Sequence, residues 1–285
     1  MKSKILRVLF ISFAVVFSFF YTSKTVSFFK SIDPIMKEIV KEKNKYEQPS
    51  INAKINNDEI IPGYNGIIVN VDKSYIQMKK TNKYNTNYYA YKTSYPTISI
   101  EDKYNKYITR GNYLKDSVAF VFRIEKENNS FVDIYKILEN KNVYGTFFID
   151  GIFLKKHVKD IITVIEDYHE IEPLSYNHDF NKEALSIVRN DLKNTINYEG
   201  KYCLTGTKND KVLNICNDNK MYTVVPTSVI NSFSDLKNNL ESGSILEVRE
   251  DRLNEIPTYI NYVKQKGYNI ITLEELLSEN RTTEK

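Results

Sequence analysis

Residues 143–151 read Val-Tyr-Gly-Thr-Phe-Phe-Ile-Asp-Gly, and this stretch decides the predicted fold of the C-terminal part of the chain. It contains a short apolar run between two glycines, which is typical of a buried β-strand. Residues 118–124, Val-Ala-Phe-Val-Phe-Arg-Ile, predict another buried strand upstream. Between the two, residues 131–141 place apolar side chains on one helical face. A strand, a helix and a second strand in this order predict parallel strands joined by a helical crossover.

The same alternation of strands and helices continues to the end of the chain. Further helices are predicted at 158–168, 181–198, 234–241, 256–266 and 273–277, and further strands at 169–171, 221–225, 244–248 and 270–271. The predicted fold class is therefore α/β, with the strands arranged as a parallel sheet or barrel. No internal sequence repeat is visible.

Five short blocks follow one another as they do in the polysaccharide deacetylases, the NodB-homology proteins of the carbohydrate esterase family 4 type. The blocks are residues 118–122, which resemble the strand before the T-F-D-D-G motif; 143–151, similar to T-F-F-x-x-G; 169–178, similar to H-E-I-G-N-H-S-x-x-H; 243–246, similar to G-S-I-x-L; and 266–277, similar to K-G-Y-x-F-x-T-L-x-E-L-L. The ordered set spans about 160 residues. This resemblance implies a distorted (β/α) barrel with its site at the C-terminal ends of the strands.

The family's chemistry is metal-assisted amide hydrolysis of N-acetyl sugars, with one Asp and two His holding a divalent ion, a second Asp as base and another His as acid. In this chain the two Asp of T-F-D-D-G fall on Arg123 and Ile124, the first metal His falls on Leu174, and the acid His falls on Arg249. His178 is the only metal ligand retained. An Arg in place of a carboxylate opposes cation binding. The resemblance therefore implies a pseudoenzyme, with no catalytic residue, metal or other cofactor expected.

Three functions remain open from the sequence. The favoured one is a cell-envelope protein that binds glycan or a peptidoglycan-like polymer without hydrolysing it. The alternative is an active metal-dependent carbohydrate N-deacetylase, a hydrolase of non-peptide C–N bonds with a zinc-like ion in a rearranged site. A weaker third is a partner-binding regulator of envelope enzymes. A rearranged metal site would draw on His178, Asp179, Asp150 and Glu172.

The inherited pocket is predicted to contain Arg123, Asp150, His178, Arg249 and Glu250. The two Arg would bind an anionic group such as a phosphate, uronate or carboxylate. Alternatively, they would form internal salt bridges with Glu125, Glu247 or Glu250. His178 is either a vestigial ligand, a donor to a bound molecule, or a histidine with ordinary hydrogen bonds. His157 and His169 are predicted to lie on a helix surface and at a strand edge.

The N-terminus has the pattern of an export signal or a signal anchor, because basic residues precede an apolar run from Val8 to Tyr21. We expect an uncleaved membrane anchor with the C-terminal domain outside the cytoplasm, or a secreted protein if the segment is cleaved. The predicted divisions are a signal segment at 1–29, a polar spacer at 30–60, a Tyr-rich extension at 61–115 and the deacetylase-like domain at 116–285.

Composition adds two constraints. The net charge is only +4, which does not favour nucleic-acid binding. Cys203 and Cys216 are the only cysteines, and outside the cytoplasm they would form a disulfide; two buried free thiols are the alternative. In the extension, Ser74 is predicted to cap a helix, and the tyrosines between 84 and 113 either stack on sugar rings or pack against the protein.

Overall fold

A computed structural model of the chain describes residues 2–281, without the side chains of residues 2–10, 20–23, 26 and 27. Backbone contacts divide the chain into two compact units. The N-terminal unit consists of Met1–Ser50 and Gly66–Ser94, and the C-terminal unit consists of Ile51–Asn65 and Tyr95–Lys285. The chain therefore enters the second unit, returns to the first, and then completes the second.

The α-helices of the described residues are α1 (Lys2–Ile32), α2 (Pro34–Glu42), α3 (Val71–Lys79), α4 (Phe131–Asn140), α5 (Gly151–Lys156), α6 (Val158–Glu166), α7 (Lys182–Ile196), α8 (Asp210–Asp218), α9 (Phe233–Asn239), α10 (Ile256–Gln265) and α11 (Leu273–Leu277). The strands are β1 (Lys54–Asn56), β2 (Glu59–Ile61), β3 (Gly66–Val69), β4 (Tyr91–Ser94), β5 (Tyr107–Ile108), β6 (Ser117–Ile124), β7 (Thr146–Ile149), β8 (Glu170–Pro173), β9 (Tyr202–Leu204), β10 (Tyr222–Val224), β11 (Ser228–Ile230), β12 (Ile245–Val248) and β13 (Asn269–Ile271).

The N-terminal unit is built on the antiparallel pair β3–β4, packed with α2 and α3. Its small core contains Ile35, Ile39, Val69, Met78 and Tyr89. The polar spacer expected at 30–60 is thus in part a folded helix, because the apolar stripe of α2 has a core to pack against. The predicted cap of α3 is also corrected. The Asn70 side chain is the cap, because it accepts a hydrogen bond from the Lys73 amide at 3.1 Å. Ser74 lies inside the helix, and its hydroxyl donates to the backbone carbonyl of Asn70.

The first helix, α1, covers the predicted signal segment. Apolar side chains between residues 11 and 19 are exposed along it, including Ile11, Phe13, Val15 and Val16. The remaining side chains of the predicted apolar run lie outside the described residues. Across the described part of the chain, no helix has an apolar stretch long enough to traverse a bilayer. The membrane anchor stays a prediction.

The C-terminal unit has the predicted α/β fold. Among the described residues its strands form two sheets, and no strand pairing joins them into one closed barrel. One sheet has the order β11-β12-β6-β7-β8, with β13 also paired to β6, and all of its pairs are parallel. The other has the order β1-β2-β5-β10-β9. Between β8 and β9 the Glu172 carboxylate accepts from the amides of Lys201 and Tyr202, at 2.8 and 3.0 Å. The Glu172 side chain therefore occupies backbone amides that would otherwise be available for pairing between β8 and β9.

The Tyr-rich extension predicted at 61–115 is divided between the two units. Its second half supplies β5, whose residues pair in parallel with both β2 and β10. Tyr107 and Ile108 are fully buried there, so Tyr107 packs in the protein interior, whereas Tyr113 of the same segment is exposed. Tyr104 packs against Tyr222, with ring centroids 4.7 Å apart and the ring planes tilted by 40°.

Cys203 of β9 and Cys216 of α8 are joined by a disulfide, with Cα atoms 6.4 Å apart. Both are fully buried, and they pack with Leu185 and Met221 in a core cluster of their own. Neither β9 nor α8 was expected from the sequence. The bridge therefore ties a short strand to a helix that periodicity alone did not reveal.

Candidate functional site

A cleft of about 700 Å³ opens where β6, β11 and β12 end. It is lined by Arg123, Glu125, Ser130, Val229, Glu247, Val248, Arg249, Glu250 and Asp251. These are the C-terminal ends of parallel strands, where α/β folds place their sites. Of the predicted pocket residues, Arg123, Arg249 and Glu250 therefore share one cleft, whereas Asp150 and His178 are not part of its lining.

Arg123 forms an ion pair with Glu247 across the neighbouring strands β6 and β12. Its Nε lies 3.2 Å from Glu247 Oε1, and the two side chains are 32% and 10% exposed. This is one of the internal salt bridges that the sequence left open. Within the described residues the Arg123 Nη atoms bond no partner, and Glu247 Oε2 is buried without a donor. The ion pair therefore keeps unused donors on Arg123 and an unused acceptor on Glu247 at the cleft.

Arg249 follows β12 and is more exposed, at 56% of its side chain. Its Nε lies 3.3 Å from Asp251 Oδ1, so its partner is not one of the three glutamates considered from the sequence. Glu250 instead accepts the backbone amide of Asn129 at 3.2 Å. The two Arg therefore line the same cleft, but each already faces a carboxylate.

His178 lies beside the cleft, held between two carboxylates. Its Nδ1 is 3.0 Å from Glu125 Oε2, and its Nε2 is 3.0 Å from Glu127 Oε2. Hydrogen bonding to Glu125, together with that to Glu127, raises the pKa of the imidazole above its ordinary value. The residue has a left-handed backbone, with φ of 68°. An imidazole with both nitrogens engaged by carboxylates has no nitrogen left to coordinate a metal.

Asp150 is fully buried and acts in the structure as a cap. Its Oδ1 accepts from the Ile152 amide at 2.8 Å, and its Oδ2 accepts from the Ser175 hydroxyl at 2.6 Å and the His178 amide at 3.0 Å. Burial raises the pKa of Asp150, but these hydrogen bonds outweigh it and leave the pKa below its ordinary value. Its carboxylate thus fixes α5 and the loop after β8, and it is not available to a ligand.

The residues at the inherited metal position do not fit a metal ion. Ile124 and Leu174 are buried and apolar where the family has an Asp and a His. In the part of the chain that the structure describes, no three His, Cys, Asp or Glu side chains are grouped to hold an ion. The hypothetical set of His178, Asp179, Asp150 and Glu172 is therefore not assembled. Glu172 is occupied elsewhere, by the hydroxyl of Tyr198 and by backbone amides.

Two buried glutamates were missed as a pair, although the alternation Glu170-Ile171-Glu172 in a strand was visible. Residues i and i+2 of a strand point to the same face, so the carboxyl groups of Glu170 and Glu172 enter the interior together. Burial raises the pKa of Glu170 to about 7, and burial with the charge of Glu170 raises the pKa of Glu172 well above its ordinary value. Ionising both of two close, buried carboxyl groups is energetically unfavourable, so the pair retains one proton.

His169, predicted at a strand edge, is buried instead. Its Nδ1 accepts the Gly145 amide at 3.0 Å, and its Nε2 lies 3.1 Å from Glu139 Oε1. Burial lowers the pKa of this imidazole. His157 is partly exposed beside α5 and stacks on Phe153, with ring centroids 4.1 Å apart. Neither histidine lines the cleft.

Comparison with known proteins finds a similar sequence and similar folds. No family model matches the sequence. The uncharacterized protein YlxY of Bacillus subtilis is 28% identical over 281 residues, which cover 90% of this chain and 88% of YlxY. BA3943, a CE4 family pseudoenzyme from Bacillus anthracis, superimposes with a TM-score of 0.68 and 24% identity, over 87% of this chain and 96% of that one.

A deacetylase structure has a similar but less extensive match. The peptidoglycan N-acetylglucosamine deacetylase Bc1960 gives a TM-score of 0.53 at 19% identity, over 61% of this chain and 95% of that one. These likenesses confirm the fold that the sequence blocks indicated. The chain has the α/β fold of the carbohydrate esterase family 4 polysaccharide deacetylases.

Proposed function

We propose that this chain is a catalytically inactive member of carbohydrate esterase family 4 that binds a cell-envelope glycan in the cleft at the C-terminal strand ends. The observation that carries the proposal is the Arg123–Glu247 ion pair, which lies where the family has an acidic residue and which keeps unused donors and an unused acceptor. The cleft volume of about 700 Å³ accommodates one or two sugar rings.

The chemistry of the pair suits sugar hydroxyls. A hydroxyl is at once a donor and an acceptor, so one hydroxyl can accept from Arg123 Nη and donate to Glu247 Oε2. Hydrogen bonds to charged groups are stronger than those between neutral groups, and each contributes about 1.5–3 kcal/mol. Several such contacts with a polymer would give useful affinity without any reaction.

Inactivity follows from the same residues. Hydrolysis in this family relies on an ion that polarises the acetyl carbonyl, and the positions of Ile124 and Leu174 supply no ligand for it. Arg249 stands at the position of the acid His, and a guanidinium does not release a proton near neutral pH. The structural neighbour BA3943 is itself a pseudoenzyme, and a mutant of it has restored enzymatic activity.

The test uses the full chain in detergent. We expect no stoichiometric zinc, cobalt or nickel after equilibration and no acetate release from N-acetylated chitooligosaccharide or peptidoglycan. Peptidoglycan pull-down should retain the wild type and lose the Arg123→Ala, Arg249→Ala double variant. Glu166→Gln, an exposed change on α6 away from the cleft, is the matched control and should bind as the wild type does. Stoichiometric metal that is lost with His178→Ala, or equal pull-down of both proteins, would refute the proposal.

We also propose that α1 attaches the protein to the membrane, with the C-terminal unit outside the cytoplasm. Two observations support it: the exposed apolar side chains of residues 11–19, and a buried disulfide of the kind that persists in oxidising compartments. Protease added to intact cells should digest the C-terminal unit of the full chain. The protein should sediment with membranes, or accumulate in the medium if the segment is cleaved. Protection from the protease in intact cells would contradict the proposal.

A further inference from the structure

The charges around the cleft favour a cationic ligand over the anionic one expected from two Arg. Its acidic lining residues are Glu125, Glu247, Glu250 and Asp251, and its basic ones are Arg123 and Arg249. Four carboxylates against two guanidinium groups leave a formal excess of two negative charges. Around this lining, the neighbouring ion pairs add the basic residues His178, Lys126 and Arg252 and the acidic residues Glu127 and Glu255, so a protonated His178 leaves a formal excess of one negative charge. The formal charge around the cleft is therefore negative.

Glu247 provides a second, independent observation. Its side chain is only 10% exposed, and it lines the cleft. One oxygen accepts from Arg123, and the other has no donor in the described part of the chain. A buried carboxylate oxygen without a donor is costly, so a ligand that brings a charged N–H donor gains more here than a neutral ligand does. Each Arg already faces a carboxylate through its Nε, so neither brings an uncompensated positive charge to the cleft.

We infer that the cleft selects amino sugars whose nitrogen carries no acetyl group, that is, a de-N-acetylated glycan bound through its ammonium. The inference rests on the proposed glycan-binding function and specifies its ligand. An ammonium brings a positive charge and three N–H donors, whereas an acetamide is neutral and brings one. Glu247, Glu250 and Asp251 line the cleft in which that group would lie.

The experiment compares two glucosamine oligomers of equal length, one fully N-acetylated and one with free amines, titrated calorimetrically into the full chain in detergent. We expect the free-amine oligomer to bind more tightly, with an advantage that shrinks as salt is added. Glu250→Gln and Asp251→Asn should each weaken its binding about two- to fivefold and leave the acetylated oligomer unaffected. Glu247→Gln should weaken it by about tenfold or more, because that carboxylate is the most buried. Glu166→Gln should change neither affinity.

The outcomes separate this inference from the function on which it rests. Equal or tighter binding of the acetylated oligomer overturns the inference and leaves glycan binding standing. Failure of both oligomers to bind refutes the proposed function itself. A tetralysine peptide that binds as tightly as the free-amine oligomer, with the same losses in the variants, would show that charge alone is recognised and would overturn the assignment to a sugar.

Discussion

Glu170→Gln should raise the stability of the protein above neutral pH and leave it unchanged in acid. Glu170 begins β8, and its Oε2 accepts both the Thr146 hydroxyl at 2.7 Å and the Glu274 amide at 2.9 Å. Its Oε1 is buried without a hydrogen-bond partner in the described residues. In glutamine the amide oxygen can keep both donors, and the amide nitrogen takes the place of Oε1.

The magnitude follows from the raised pKa. Burial shifts the pKa of Glu170 from its ordinary 4.5 to about 7, so the folded protein holds a proton that the unfolded chain releases. Its contribution to stability is complete below pH 4.5 and is lost as the pH rises to about 7. A difference of that size corresponds to about 3 kcal/mol. Glutamine does not ionise, so the variant should avoid this loss.

The assay is thermal and urea unfolding of the full chain across the pH range from 4.5 to above 7. The two proteins should match at the acid end and diverge towards neutral pH, with a melting difference of about 5–10 °C above it. Glu166→Gln, exposed on α6, removes a carboxylate without burial and should follow the wild type throughout. Parallel profiles of wild type and Glu170→Gln over the whole range would refute the assignment of a shared proton to the buried pair.

Three further variants test the supports of the fold. Replacing Cys203 and Cys216 together by Ser should lower the free energy of unfolding by about 3 kcal/mol, measured in urea without reductant, because the bridge closes a loop of 13 residues. Asp150→Ala should lower the free energy of unfolding by about 2–4 kcal/mol near neutral pH, because three hydrogen-bond donors lose their acceptor. This loss should shrink in acid as the pH approaches the lowered pKa of Asp150, and a loss that stays constant with pH would show that the charge of Asp150 does not contribute. Gly243→Ala should cost about 2–4 kcal/mol because φ is +85° and the new Cβ would lie 2.4 Å from a backbone oxygen, whereas Gly206→Ala meets nothing within 4 Å and should be almost neutral.

Elements with strong periodicity were predicted within one or two residues. The strand expected at 118–124 is β6, and the helix expected at 256–266 is α10. The helix α8 was missed because its sequence is dominated by Asp, Asn and Lys, with a narrow apolar face. The spacer expected at 30–60 contains α2, whose stripe of Ile35, Met36 and Ile39 is buried. Whether a short amphipathic helix is a spacer or part of a core depends on whether another element packs against its apolar face.

The candidate site divides in the same way. Ordered blocks of sequence placed Arg123 and Arg249 at strand ends, and the structure brings both to one cleft. The blocks did not indicate that the Asp150 carboxylate accepts hydrogen bonds from backbone amides, or that His178 lies between two carboxylates. Those partners are set by loop geometry after β7 and β8, which leaves no periodic trace in the sequence.

The sequence by itself determined the order of the strongly periodic strands and helices and which residues stand at the family's metal positions, because both depend on which side chain occupies each position. Only the tertiary structure decided the charge of the cleft. Arg123 and Glu247 are 124 residues apart, and they meet because β6 and β12 are parallel neighbours in one particular register. Such pairing depends on strand register, and it forms one of the internal salt bridges that the sequence left open beside anion binding.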